Sequence, residues 1–229
     1  MHDSSPQDAL GTAFRILGER QLSVSRLLLL TSEPAAFSDF PKLLETVLER
    51  FNPVTDLHVF RSAVPKRLDP AERKPGPYSQ AVIIGIGHAV RELPRTYTEG
   101  LLPGITEVTP YCGGCLIVSG ASYEEDPKLP VRLNTALREQ NTAWPLVIMV
   151  DHAAEAVRTQ TSFLWTVFTR FNPADDIYAE SEVKQHHIGY KLPIVIDARM
   201  KPGDYEEQSP CRSTLDLVDR NWSSYFQQG

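Results

Sequence analysis

Cysteine is scarce. Three in 229 residues are too few, and odd in number, for a disulfide framework, which points to a reducing compartment. No apolar run approaches the roughly 18 residues that would suggest a membrane span. The opening Met1-His2-Asp3-Ser4-Ser5 lacks the basic-then-apolar layout of a secretory leader. The expectation is a cytoplasmic protein with no membrane partner. Basic blocks are missing too: 23 Lys and Arg against 29 Asp and Glu give a net charge of −6. Nucleic-acid affinity depends on neutralising backbone phosphates, so no nucleic-acid partner is expected. Gly85-Ile86-Gly87 lies at a predicted strand end, but position 90 is Val. The third glycine of a dinucleotide fingerprint is absent, and close backbone packing is the plainer account. His186-His187 are adjacent, point apart on an extended segment and have no acidic cluster beside them, so no metal site is expected.

What the chain does have is a sentence written twice. Leu44-Glu-Thr-Val-Leu-Glu-Arg50-Phe-Asn-Pro53-Val-Thr-Asp56 returns as Leu164-Trp-Thr-Val-Phe-Thr-Arg170-Phe-Asn-Pro173-Ala-Asp-Asp176, with 8 of 13 positions identical at an offset of 120. Extended without gaps, the alignment brings Leu27–Thr31 onto Val147–Asp151. Each copy reads as strand, helix, strand. A period this long, present twice, is no solenoid; it predicts two related β-α-β units, about 26–60 and 146–180, in one domain. The predicted organisation is an N-terminal helical arm over 1–22 and a single α/β domain over 23–229.

Residues 6–21 carry helix-spaced apolar side chains entered through Ser5-Pro6. Leu27–Leu30 is too short for a buried helix and reads as a buried parallel strand. The next helix begins near Ser38-Asp39 and stops at about Phe51, because Pro53 disfavours helical geometry at Asn52. The chain then turns into a strand at 57–60. The second copy predicts a strand at 146–150, a helix at 155–171 and a strand at 176–179. Between them come strands at 81–85 and 116–118, a short proline-broken helix at 88–99 and a helix near 129–140. The proline-rich stretch 61–80 is a long loop, 180–190 a polar connector and 193–196 a last strand. Strands alternating with helices predict an α/β layered fold with a mainly parallel sheet and helices on its faces. A closing amphipathic helix presents Leu215, Val218, Trp222 and Phe226 on one face. An apolar face left exposed marks an association site, and a homodimer is expected through it.

Arg50 and Asp56, like Arg170 and Asp176, bracket the Asn-Pro turns. A ligand clamp is one reading; the simpler one is a structural lock of guanidinium on carboxylate, Arg50 to Asp56 and Arg170 to Asp175 or Asp176. Cys112-Gly113-Gly114-Cys115 has redox or half-zinc spacing. It precedes a strand instead of opening a helix, and no second pair completes a four-sulfur site. Asp151 stands at a strand end where α/β sheets place ligands, or caps the next helix.

The segment Leu164–Asp176, preceded by Val147-Ile-Met-Val150-Asp151, resembles the C-terminal domain of the UbiD family, (de)carboxylases that use prenylated flavin mononucleotide. Ile194-Val-Ile-Asp197-Ala198-Arg199-Met200-Lys201-Pro202 is similar to the family's terminal strand, and Leu215–Trp222 to its closing helix. Asn172 stands where aspartate is usual, and Lys66-Arg67-Leu68-Asp69-Pro70 departs from the family pattern. The resemblance implies a C-terminal domain or separate subunit of a decarboxylase acting on an aromatic or unsaturated carboxylic acid. It would contribute assembly and part of the active-site wall. The family's arginine, two glutamates, prenylated FMN and divalent metal would sit on an N-terminal flavin-binding domain or subunit. This chain would supply no catalytic, cofactor-binding or metal residue and bind no flavin alone. The segment after the second turn would face substrate or partner through His186, His187 and Tyr190, and the closing helix would cross a subunit boundary. Two other readings stay open: a non-enzymatic interaction or regulatory module of the same fold, and a thiol oxidoreductase using Cys112 and Cys115.

Overall fold

The computed structural model describes residues 6–19, 25–34, 36, 38–61, 79–185, 187–204 and 212–225. In chain order the elements are α1 (Pro6–Gly18), β1 (Leu27–Thr31), α2 (Phe40–Arg50), α3 (Pro53–Asp56), β2 (Leu57–Arg61), β3 (Ser79–Gly85), β4 (Ile105–Cys112), β5 (Cys115–Gly120), α4 (Leu129–Glu139), β6 (Leu146–Met149), α5 (Ala153–Ala156), α6 (Gln160–Arg170), α7 (Pro173–Asp176), β7 (Ile177–Tyr178), β8 (Ser181–Lys184), β9 (His187–Tyr190), β10 (Ile194–Asp197) and α8 (Arg212–Tyr225). Most of the expected long loop, residues 62–78, lies outside the described residues. Among the described residues no helix is long and apolar enough to cross a membrane.

The sheets are mixed, which corrects the expected mainly parallel sheet. One has the order β1-β3-β2, the second β4-β5-β6-β10-β7, and β8 and β9 form a separate hairpin. Pairing is parallel for β1–β3, β5–β6 and β6–β10 and antiparallel for β2–β3, β4–β5, β7–β10 and β8–β9. The physical cause lies where the helices end. A Cβ built on Gly85, the last residue of β3, would stand 2.5 Å from the Val47 Cα, and Arg50 Nε donates to the Gly87 carbonyl at 3.0 Å. The last turn of α2 is therefore still at the carboxyl end of its sheet. The strand that follows has to run back down, antiparallel to its neighbour.

Both Asn-Pro steps do more than turn. Each opens a further helical turn, α3 and α7, with proline in its first turn where a missing N–H costs nothing. Asn52 caps α3, its side-chain oxygen accepting from the Val54 N–H at 3.1 Å. Three further expectations are corrected. Residues 88–99 form no helix; Pro94 stiffens an extended strap, along which Val90 N–H donates to the Glu49 carbonyl at 2.8 Å. The expected helix 155–171 is broken into α5 and α6. The connector at 180–190 is largely the β8–β9 hairpin.

Strand alternation sorts the side chains into layers. Val82 and Ile84 of β3 face α1, packing with Ala13 and Leu17, while Ile83 faces the opposite way. In the larger sheet Leu116, Val118, Val147, Met149 and Val195 face Leu129, Leu133 and Leu137 of α4. Ile117, Ile148, Ile194 and Ile196 turn to the other side. There they share one core with Leu44, Val47 and Leu48 of α2 and Phe163 and Val167 of α6. The order through the molecule is α1, three-stranded sheet, α2 with α6, five-stranded sheet, α4. Contacts join the two units at equivalent places: Phe40 N–H donates to Gln160 Oε1 at 2.7 Å across the 120-residue offset.

Candidate functional site

At the carboxyl edge of the larger sheet the apolar triplet Ile194-Val195-Ile196 gives way to charge. Asp197 and Arg199 are both 0% exposed. Arg199 donates from Nε to Asp197 Oδ1 at 2.9 Å and from Nη2 to Oδ2 at 2.8 Å, a bidentate fork. Its Nη1 reaches the carbonyls of Ala121 at 2.8 Å and Asp126 at 3.0 Å. Lys201 Nζ donates to the carbonyls of Asp197 at 2.9 Å and Arg170 at 3.1 Å and stands 3.3 Å from Asp176 Oδ1. Arg199 and Lys201 both lie over the Tyr123 ring, 5.5 and 5.7 Å from its centroid. Asp151 Oδ2 accepts from Arg170 Nη1 at 2.8 Å and from the Met200 N–H at 2.9 Å. Asp151 therefore anchors the chain after β10; the N-cap position of α5 is His152, which makes no capping bond.

Burial pushes the Asp176 carboxyl up to about 6, with Lys201 and the Asn172 N–H opposing the rise. Every charged group in this cluster already holds a partner. The arrangement welds the ends of β6 and β10 to α6 and α7, and a buried, fully bonded pair of this kind fixes register better than it serves as a reactive site. Asp197, Arg199 and Lys201 carried a signal in the sequence, alternating charge straight after an apolar strand.

The turn locks are built differently from the expected ion pairs. Asp56 Oδ2 accepts from the Asn52 N–H at 2.8 Å and Asp176 Oδ2 from the Asn172 N–H at 2.6 Å. The aspartates thus close their turns on the backbone. Arg50 goes instead to Glu49 at 3.2 Å, Glu33 at 3.7 Å and the Gly87 carbonyl, and Arg170 goes to Asp151. Asp175 pairs with Arg61 of the other unit. The reason is direction: arginine at a helix C-terminus reaches the neighbouring strand ends, while an aspartate four residues past asparagine lies next to that residue's amide. Position 31 is Thr where the second copy has Asp151, so Arg50 lacks the carboxylate that holds Arg170. Beside Arg50 a groove of about 290 Å³ opens at the end of β1, walled by Glu33, Asp39, Lys42, Thr46 and Glu49.

Cys112 and Cys115 face each other across the β4–β5 hairpin, and both are free thiols. Gly114 sits at φ +79°, and a side chain there would also strike Leu93. The Gly113 N–H donates to Glu45 Oε1 at 2.8 Å, and Arg95 grips the same carboxylate at 2.8 and 3.1 Å. Burial raises the Glu45 carboxyl, but these bonds outweigh it and leave the group below its ordinary value. Burial, with Cys112 beside it, pushes the Cys115 thiol well up. A nucleophilic cysteine needs the opposite, a lowered thiol at an accessible place, which Cys115 does not offer.

His186 lies outside the described residues, as does the His187 side chain; the His187 backbone opens β9. Tyr190 is half-buried against the central core and its hydroxyl is raised by burial. Of the closing helix face, Phe226 and the Leu215 side chain also lie outside the described residues. Val218 is half-buried, Trp222 57% exposed, and Leu217, unforeseen, 52% exposed. Trp222 is therefore not swallowed by the protein's own sheets. Among the described residues no group of three or more His, Cys, Asp and Glu side chains stands ready for a metal.

Comparison with known proteins adds a set of similarities. Residues 1–85 match the model of the 3-octaprenyl-4-hydroxybenzoate carboxy-lyase C-terminal domain. The chain is 36% identical over 221 residues to a Chlamydia pneumoniae protein named as a subunit of 4-hydroxybenzoate decarboxylase, a match covering 96% of this chain and 37% of that protein. An uncharacterized protein of Chlamydia caviae is 35% identical over 222 residues, covering 96% of this chain and 37% of its own length. The chain thus spans little more than a third of these relatives. Among solved structures, the vanillic acid decarboxylase of Sedimentibacter hydroxybenzoicus in open form aligns at 13% identity and a TM-score of 0.31, over 76% of this chain and 47% of that one.

Proposed function

We propose, from the match of residues 1–85 to a carboxy-lyase C-terminal domain and the similarity to a protein named as a decarboxylase subunit, that the chain is the C-terminal domain or a separate subunit of a UbiD-type decarboxylase acting on an aromatic or unsaturated carboxylic acid. It contributes assembly and part of the active-site wall and has no turnover by itself. The observation that carries this reading is the similarity along nearly the whole chain to a protein named as a decarboxylase subunit, of which it spans 37%. The cluster at the carboxyl edge of the larger sheet supports it. Asp151, Arg170, Asp176, Asp197, Arg199 and Lys201 are committed to one another, as in a scaffold.

On this reading the prenylated FMN and divalent metal implied for the complete enzyme, which supply the electron sink for carbon dioxide loss, are held by a flavin-binding partner. This chain's part is to position the partner and exclude water from the shared wall, with the segment 180–191 and Tyr190 toward the pocket. The closing helix, through Val218 and Trp222, joins two copies in a homodimer. The two repeats, about 26–60 and 146–180, are read as copies of one β-α-β unit within a single domain that follows an N-terminal arm.

A fluorescence titration with FMN as the probe tests the division of labour. The chain alone should leave FMN emission unchanged, while the part of the C. pneumoniae relative outside the matched stretch should quench it, and adding the chain should tighten that binding. Saturable, stoichiometric quenching by the isolated chain would overturn the assignment of the flavin to the partner.

A further inference from the structure

Building on the reading that a second polypeptide completes this one, we propose that the open edge of β1 is where an extended apolar segment of that polypeptide pairs, adding a parallel fourth strand to the smaller sheet. β1 is the terminal strand of the order β1-β3-β2. Ala81 N–H donates to the Arg26 carbonyl at 2.8 Å, so Arg26, and by the two-residue alternation Leu28 and Leu30, turn their main-chain groups toward β3. Those of Leu27, Leu29 and Thr31 point away, and among the described residues nothing bonds to them.

Natural sheet edges are normally guarded by charge, proline, bulges or brevity. The other terminal strands of the two larger sheets follow that rule: β4 carries Glu107, Pro110 and two register shifts, and β7 is two residues long. β2 ends in Arg61 and has α7 against it. β1 is Leu27-Leu28-Leu29-Leu30-Thr31, unguarded and half-buried along its whole length.

The second unit shows how such an edge is filled. By the 120-residue offset β1 corresponds to β6, and β6-β10-β7 repeats the arrangement β1-β3-β2, one neighbour parallel and the next antiparallel. The far edge of β6 is not open: β5 runs parallel to it, Leu116 beside Val147 and Ile117 beside Ile148. Equivalent pairing on β1 sets the partner's residues beside Leu27 and Leu28. The occupant is an apolar run whose alternate side chains join Leu27 and Leu29 in the central core and Leu28 and Leu30 beneath α1. A second copy does not meet this geometry, because two like strands related by a two-fold axis pair antiparallel. The relatives supply the alternative, since 37% of their length is matched here and the rest is available to provide the strand.

The test uses the full chain with the part of the C. pneumoniae relative outside the matched stretch, taken forward once that part melts cooperatively by itself, and measures complex formation and amide hydrogen exchange at residues 27–31. Leu29→Pro removes an outward N–H while leaving the ladder to β3 intact, and Leu29→Ala removes the same side-chain packing but keeps the N–H. The expected result is slowed exchange at Leu29 in the complex, with Leu29→Pro weakening association about tenfold more than Leu29→Ala, the scale of one lost hydrogen bond. A complex that forms with unchanged exchange, or with both variants equal, overturns the edge pairing and leaves the subunit reading standing. Failure of the two polypeptides to associate at all overturns the subunit reading and the pairing with it. Protection already present in the chain alone also overturns the proposal, assigning the edge to a second copy if it depends on concentration and to residues 62–78 if it does not.

Discussion

Asp176 is a residue whose chemistry is set by the fold. It is 4% exposed, and its carboxyl is raised from 3.8 to about 6 by burial, against the pull of Lys201. The sign follows from linkage. A carboxyl whose folded value lies above its unfolded value contributes stability that is full below about pH 4 and lost as pH rises through 6, about 3 kcal/mol in all. Urea unfolding of the wild type and Asp176→Asn at pH 4, 5, 6 and 7 should show the wild type losing stability relative to the variant across that window. A constant difference would mean that Asp176 titrates normally. Arg199 gives the second prediction at this scale. Arg199→Ala leaves the Asp197 side chain buried without its bidentate partner, and such losses cost roughly 3–5 kcal/mol. Denaturant melts should therefore place the Arg199→Ala midpoint far below that of Arg132→Ala, whose partner Asp126 is at the surface. Equal midpoints would deny the buried pair its structural role.

Among the elements, the hairpin of Cys112–Cys115 and the crossing of α2 over β3 both depend on glycine. Gly85→Ala would place a methyl group 2.5 Å from the Val47 backbone. A helix backbone cannot rotate away as a side chain can, so α2 must shift, and we expect a loss of about 1–3 kcal/mol in thermal or urea unfolding. Gly18→Ala, with open space at its Cβ, is the control and should change stability little. These crossings also mark the limit of what the sequence could tell. α2 stopping before Pro53, the strand at 57–60 and the helix near 129–140 were legible because periodicity and proline act locally. The antiparallel return of β2 was not, because it depends on where α2 crosses the sheet, and no pattern within α2 records that. β4 was missed because Pro110 argues against a strand, yet an edge position tolerates it. At the site, the aspartates of the turns were visible as important, but their partners were backbone amides, which leave no trace in side-chain identity. The Asp197, Arg199 and Lys201 cluster was readable as alternating charge and became meaningful only once the fold brought Asp151, Arg170 and Asp176 to it.

For the whole molecule, a shared core between two sheets makes the chain a compact scaffold, and what it leaves exposed indicates what it joins. Trp222 and Leu217 of α8 are more than half exposed, and an apolar helix face of that kind usually marks an association site. Truncation after Cys211 should therefore reduce a dimeric mass in light scattering to that of the monomer while the core still melts cooperatively. A monomeric mass before truncation would remove the helix from any role in self-association. Carbon dioxide release from 4-hydroxybenzoate decides whether this chain is the non-autonomous C-terminal part of a UbiD-type decarboxylase, as proposed. The assay combines this chain with the part of the C. pneumoniae relative outside the matched stretch, supplied with prenylated FMN and a divalent metal. No release is expected from this chain alone, and a rate with both polypeptides well above that of the partner alone. Turnover by this chain alone, or a partner rate that this chain does not change, would rule out that division of labour.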